Sequence, residues 1–533
     1  MGSASSSQAQ NESRSVKTVY GTVVGRRFVF GSKEVDAFQG IPFAKPPVGD
    51  LRFKAFGPRG IQKDALFERC KHGRKSEDNL YLNVFSPAWD PGNSTRFAVL
   101  VFIHGGGFIS DSCVKYGDER ICEHLCTKDV VVVTTQYRLG YLGFFSTGDE
   151  HCPGNFALWD QTLALKWVQE NIAFFNGDPR NVTVMGQSAG GASVDLLSIC
   201  PHSRDLFQRV IPMAGNASCE WSTHNNMVEV CRKFAESIGI SETHHSLNMI
   251  NGLREIEASK FALSLMESMS SASDSELCPV APRIDGDFIT KPIEQLRKEA
   301  PGKPMLIGCC EAEGLIMLLG RKASVSALME QISKLVPEWK YPSEFKLLRR
   351  DLLRKLINDE DMKNSDLVRR AFVELLGDLF TNIGVQKTVL ETLEAHKVPV
   401  FFYSFDYFNP KSWGPLGFRM PFKAATHCTE LAYIFGRGII WNFSFNEDDK
   451  KMLEITTRMW TNFAKYGDPN GLTTADSLSH LLKMPMEWEP ATIENPQKHF
   501  SISLKPQMRE KYKNSRPLFI IEMQRAQRRD VHF

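Results

Sequence analysis

Apolar residues in this chain gather in short, nearly continuous runs separated by polar, glycine- and proline-rich stretches. The plainest are 99–103 and 130–133, where Val, Leu, Ile and Phe follow one another without a polar break. Runs of that length and purity predict strands of a sheet covered on both faces. The same reading places strands at 80–85, 97–104, 130–137, 182–185, 207–213, 304–308 and 398–405. Between them the period changes. Over residues 155–174 the apolar positions Leu158, Leu163, Leu165, Trp167 and Val168 follow helical spacing, with acid and amide residues opposite. Strand, helix, strand is a β-α-β unit, so the predicted fold class is α/β, with a large, mostly parallel sheet and helices on both faces.

The rest of the chain is read around that sheet. Residues 16–30 predict a short hairpin at its edge, and FQGIPFAKPPVGDLRF, residues 38–53, predicts a loop that is neither helix nor central strand. Residues 324–395 are long, charged and helical, which predicts helices capping the sheet. No internal repeat or low-complexity linker interrupts the chain after Lys17. Residues 17–533 are therefore expected to form one domain behind a disordered tail, residues 1–16.

Composition narrows the classes of function. With 42% hydrophobic and 24% charged residues among 533, and a net charge of +2, the chain is of ordinary globular type with no basic surplus for nucleic acid. No apolar run approaches the ~18 residues needed to span a bilayer. The tail MGSASSSQAQNESRS lacks the apolar stretch of a secretory signal. It does carry Met1-Gly2 with Ser6, the spacing of an N-myristoylation signal at Gly2, although a cloning remnant begins the same way. One acyl chain would give weak membrane association. The twelve cysteines show no disulfide framework. Cys122, His124 and Cys126 lack further ligands for a metal, so buried, reduced thiols in a cytoplasmic protein are expected, with no metal and no cofactor.

The candidate chemistry centres on NVTVMGQSAGG, residues 181–191. A β-branched run ends in a G-x-S-x-G turn that would lift the Ser188 hydroxyl above the sheet, with a helix behind it. A serine hydroxyl needs a base to take its proton, an acid to orient that base and donors for the developing oxyanion. Of the histidines beyond the later strands, His427 lies in a loop with suitable flanks, ATHCTELAYIFG. The predicted strand at 304–308 runs into CCEAEG, which offers two carboxylates, Glu311 and Glu313.

Taken together, FQGIPFAKPPVGDLRF, EDNLYLNVFSP, HGGGF, YRLGYLGF, GNFALWDQTLALKWVQENIAFFNGDPRNVTVMGQSAGG, EAEG, HCTELAYIFG and MWTNFAKYGDPN resemble the type-B carboxylesterase and cholinesterase-like family of α/β hydrolases. The resemblance implies a serine carboxylic-ester hydrolase acting on a small-molecule ester through an acyl-enzyme. Ser188 would be the nucleophile, His427 the base and Glu313 the orienting acid, with Glu311 the fallback. The backbone N–H groups of Gly106, Gly107 and Ala189 would form the oxyanion hole, the two glycines leaving room for the acyl oxygen. Phe108 and Trp221 match aromatic pocket positions, where plain core packing is the competing reading. Arg52 with Glu77, and Arg138 with Asp160, match structural ion pairs. A lipase or hormone esterase shares this fold, and so does a non-catalytic adhesion or scaffold protein.

Two departures from the family pattern are informative. Asn79 stands where secreted relatives place the cysteine that pairs with the Cys70 position, and no cysteines stand at the second family disulfide, near 238 and 253. Both point to a reducing compartment rather than secretion. Gln187 precedes the serine where cholinesterases carry a glutamate. An amide offers no charge to a cationic substrate, which predicts an uncharged ester.

Overall fold

A computed structural model describes residues 11–55, 76–92, 96–263, 278–318, 321–474, 476–479 and 487–530. Its strands are β1 (Asn11–Glu12), β2 (Val16–Thr18), β3 (Gly21–Val23), β4 (Arg26–Phe30), β5 (Lys33–Pro42), β6 (Tyr81–Pro87) and β7 (Phe97–Ile103). They continue with β8 (Val130–Thr135), β9 (Gly177–Gln187), β10 (Arg209–Met213), β11 (Met305–Cys310), β12 (Val400–Phe405), β13 (His499–Ile502) and β14 (Gln507–Arg509). Twelve of them make one sheet in the order β1-β4-β5-β6-β8-β7-β9-β10-β11-β12-β13-β14. From β8 to β13 every neighbouring pair is parallel, and the strands outside that block are antiparallel.

The apolar runs show why this sheet is buried on both sides. Val99, Val101 and Ile103 pack into one hydrophobic cluster with Val131, Val133, Val182 and Val184. Leu100 and Phe102 alternate into a second cluster, with Val130, Val132 and Met185. Successive side chains point to opposite faces, so a strand between two helical layers needs apolar residues at every position. Arg138 and Asp160 pair at 2.6 Å inside the structure, and Arg52 and Glu77 pair at the same distance.

The main helices are α1 (Phe156–Asn171), α2 (Ala189–Ile199), α3 (Val325–Leu335), α4 (Phe345–Leu356), α5 (Ser365–Gly377), α6 (Ile383–Ala395), α7 (Thr429–Phe435), α8 (Glu447–Tyr466) and α9 (Arg516–Asp530). α3, α4, α5 and α9 surround a third hydrophobic cluster that includes Leu328, Leu352, Phe372 and Ile520. Helices α5 and α6 are joined without a break by one π-helical turn, Asp378–Asn382.

Three expectations for the N-terminal region need correction. The tail does not run unstructured to residue 16. Asn11 and Glu12 pair with Arg27 and Arg26, and Arg14 holds Asp36 at 2.7 Å. The hairpin at 16–30 splits, because β2 and β3 form a separate two-stranded sheet while β4 joins the large one. Residues 38–42, read as loop, belong to β5. Its register shifts between Phe38 and Ile41, with Gly40 at φ 73°, and this bulge lets the strand run on to Pro42 beside β6. Gly2 and Cys70 lie outside the described residues.

Candidate active site

In an open parallel sheet, loops at the carboxyl ends of neighbouring strands converge where the strand order reverses. Here that point is β7 between β8 and β9. The segments leaving β7, β9, β11 and β12 lead to the glycine run, Ser188, Glu313 and His427 respectively.

Ser188 occupies the turn between β9 and α2 at φ 58°, ψ −126°, a region L-residues rarely populate. The turn is held by its backbone. The Ser188 N–H donates to Met213 O at 2.8 Å, and Ser188 O accepts from Ala192 N–H at 2.9 Å. Its glycines are steric necessities. A Cβ on Gly186 would lie 2.4 Å from Gly190 O, and one on Gly190 2.1 Å from Ile103 O. Strand and helix therefore approach more closely than side chains would permit.

The glycine run packs directly on this turn, since a Cβ on Gly105 would stand 2.6 Å from Gln187 O and 3.1 Å from Ser188 Cβ. Among the described residues the N–H groups of Gly106, Gly107 and Ala189 donate to no protein acceptor. They are free to take a ligand oxygen. The loop's own geometry also requires a glycine at 106. At φ 96° its Cβ would meet Ser110 O at 2.2 Å, so the loop's own turn excludes a side chain. His104 braces the run from beneath, stacked on Tyr137 with centroids 4.5 Å apart, while the Tyr137 hydroxyl donates to His104 O at 2.8 Å.

Glu313 and His427 meet at the ends of β11 and β12. The buried Glu313 carboxylate accepts from Cys310 N–H at 2.7 Å and lies 2.6 Å from His427 Nδ1 through its other oxygen. A carboxylate there makes Nδ1 the donor and leaves the Nε2 lone pair available for a proton. The two loops are laced together, with Ala312 N–H on Ala425 O at 2.8 Å and the Thr426 hydroxyl on Glu313 O at 3.4 Å. Glu311 takes another direction. It is exposed, with its carboxylate 3.9 Å from Arg370.

Gln187, Phe108 and Trp221 come to the same place. The buried Gln187 amide nitrogen lies 3.3 Å from His427 Nε2, and its oxygen accepts from the Cys428 thiol at 3.3 Å. Burial and the nearby Glu430 push that thiol well up, so it stays a donor. Phe108 is wholly buried against Phe144 and Trp221. The Trp221 indole donates to Phe380 O at 2.6 Å, and the Phe380 ring meets His427 with centroids 4.8 Å apart.

Phe380, Cys428 and Glu430 were not anticipated. Phe380 sits in a stretch whose periodicity reads as continuous helix, and nothing in it signals a π-turn. Glu430, three residues after His427, was in view within HCTELAYIFG. It is fully buried, accepts from the Cys310 thiol at 2.8 Å through one oxygen and, among the described residues, leaves the other without a hydrogen-bond partner. Burial, reinforced by the charge of Glu313, pushes it up to about 7. Cys122 and Cys126 are buried side by side, and the eleven cysteines described all carry free thiols. No helix of the described residues is long and apolar enough to cross a membrane.

Known proteins share this arrangement of sequence. The profile described as the carboxylesterase family matches residues 12–520. The chain is 39% identical to esterase cest-33 of Caenorhabditis elegans over 95% of its length and 93% of that protein's. It is 34% identical to a juvenile hormone esterase of Tribolium castaneum, over 85% of this chain and 84% of the other. With human carboxylesterase 3 the figures are 33%, 85% and 83%. With its long, mostly parallel sheet and this span of similarity, the chain belongs to the carboxylesterase family, an α/β hydrolase that cleaves carboxylic esters through a serine.

Proposed function

We propose that Ser188, His427 and Glu313 carry out the hydrolysis and that the esters cleaved are uncharged. The observation that carries the first part is the 2.6 Å contact of Glu313 with His427 Nδ1 beside the strained Ser188 turn. His427 Nε2 takes the Ser188 proton as Oγ attacks the ester carbonyl carbon. The oxyanion of the tetrahedral intermediate is bound by the N–H groups of Gly106, Gly107 and Ala189, each such donor contributing ~3 kcal/mol to the transition state. The intermediate collapses as its C–O bond breaks, and His427 returns the proton to the departing alkoxide. Water then attacks the acyl-serine with His427 again as base, releasing the acid and restoring Ser188. Glu313 stabilises the imidazolium in both halves.

The restriction to uncharged esters rests on the uncharged Gln187 and on a run of rings in which Phe108 packs on Trp221, Trp221 on Phe380 and Phe380 on the His427 imidazole. A fluorophosphonate should label the protein and leave Ser188→Ala unlabelled; label in neither overturns the mechanism. Hydrolysis of acetylcholine far faster than of a neutral butyrate ester overturns the substrate class and leaves the mechanism standing.

A cytoplasmic location and acylation of Gly2 belong to the same proposal. The free thiols and the asparagine at position 79 support the first, and Met1-Gly2 with Ser6 supports the second. Mass spectrometry of the native N-terminus tests the acyl group directly.

A further inference from the structure

Helix α4, FKLLRRDLLRKL, carries five cations and one carboxylate. It buries a single residue completely, Leu352, in the third hydrophobic cluster. Leu347, Arg350 and Arg354 fall within about 60° of one another on the opposite side, with Lys346 and Lys355 flanking them. Lys346, Leu347, Arg350 and Arg354 are all exposed. The helix carboxylate, Asp351, stands 3.6 Å from Arg350. Among the described residues, Lys346, Arg354 and Lys355 have no carboxylate within ion-pairing distance. Arg349 turns the other way and donates to Val336 O at 2.9 Å, tying the helix to the turn that precedes it.

That turn presents Trp339, which is 83% exposed, and Leu347 one helical stretch later is 49% exposed. Trp339 stands between Glu338 and Lys340 with most of its indole in water, so it adds little to the core. At the far end of α4 a cavity of about 230 Å³ is lined by Arg354, Lys355 and Arg370, with Asp361 and Glu374 also on its wall. Cations alone would suit any polyanion. Cations interleaved with an exposed Trp and Leu suit the boundary layer of a bilayer, where aromatic rings and aliphatic stems enter the headgroup region while charged ends meet lipid phosphates.

We propose that the turn holding Trp339 and the solvent face of α4 dock on anionic lipid bilayers. This second contact would convert the weak hold of one acyl chain into stable attachment and bring the enzyme to esters dissolved in membranes. The docking stands independently of which ester is cleaved.

The test uses the full chain produced without acylation and vesicles of phosphatidylcholine, either pure or with about one third phosphatidylserine. Co-sedimentation should show at least roughly tenfold stronger partition onto the anionic vesicles, weakening with salt. The variant Lys346→Glu/Arg350→Glu/Arg354→Glu should lose that preference while hydrolysing a soluble p-nitrophenyl ester at the parent rate, which shows it folded. Trp339→Ala should weaken binding and keep its salt dependence. Equal partition of parent and charge-reversed chain overturns the proposal. So does binding of an oligonucleotide as tight as binding of the vesicles together with an unaffected Trp339→Ala, since the surface would then be a general polyanion site.

Discussion

The Phe380 ring meets the imidazole of His427 edge to face, 4.8 Å between centroids at 61°. It is carried there by the π-turn between α5 and α6, which Arg516 of α9 pins through a 2.6 Å pair with the buried Asp378. Phe380→Ala removes the apolar wall beside the base. We expect kcat/KM on an uncharged ester to fall roughly tenfold, about the worth of one aromatic contact, while Phe380→Tyr stays near the parent. Steady-state kinetics decide, and an unchanged kcat/KM for the alanine variant would sink the idea.

Glu313→Gln should be far more damaging than its size implies. One side-chain oxygen could still accept from Cys310 N–H, but an amide NH₂ would then face His427 Nδ1, which must give up its proton to accept. That places the remaining proton on Nε2, where the serine proton has to go. A loss of roughly 10⁴ in kcat is expected with the thermal transition little changed, read by kinetics and calorimetry on one preparation. Parent-like activity would move the acid's role elsewhere.

The amide of Gln187 is oriented by the thiol of Cys428. Cys428→Ala should let it rotate, lowering kcat/KM about fivefold for one lost hydrogen bond, and Cys428→Ser should recover most of that loss. In Gln187→Glu a carboxylate 3.3 Å from the ring favours the protonated base. The acid limb of its pH–rate profile should therefore move to higher pH, and the rate ratio of a choline ester to a neutral ester should rise. Identical profiles for parent and Gln187→Glu would exclude a direct influence of this side chain on His427.

Glu430 predicts a pH dependence of stability whose sign is opposite to that of most carboxylates. Raised to about 7 in the folded chain, it binds a proton that the unfolded chain has lost above the ordinary glutamate value near 4.5. Folded Glu430 therefore holds more protons between those limits, and its contribution falls as pH rises through that window and stays low above it. The buried His499, lowered to about 4, works in the other direction over an overlapping range, so the comparison must be with Glu430→Gln. Urea denaturation should show the variant gaining on the parent between pH 5 and pH 8 by roughly 1–3 kcal/mol. Parallel curves would mean that Glu430 is already ionised in the folded chain across that range, as it is in the unfolded one.

Much of this architecture was legible in the chain itself. The parallel strands announce themselves because a strand buried on both faces must be apolar at every position, a pattern contained within six or seven residues. Ser188, Glu313 and His427 were singled out from segments that follow strands and from a resemblance in their flanks, and of the glycines around Ser188 Gly186 answers to a backbone contact four residues on, at Gly190, whereas Gly190 answers to Ile103 in another strand. The misreadings have an equally local origin. Prolines at 42, 46 and 47 argued against a strand at 38–42, yet the bulge at Gly40 sets Pro42 at the strand's end.

What lay beyond reading depends on separations that no short window contains. Phe380 reaches His427 across 47 residues, and its position is set by an extra residue in a helical turn and by Arg516 from the last helix. Cys428 meets Gln187 across 241 residues, and Glu430 meets Cys310 across 120. Each is a matter of how loops leaving different strands pack over one end of the sheet. Hydrophobic periodicity places an element in a layer; which side chains then touch, and which buried carboxylate is pushed up, follows from the close packing of layers whose members are distant in the chain.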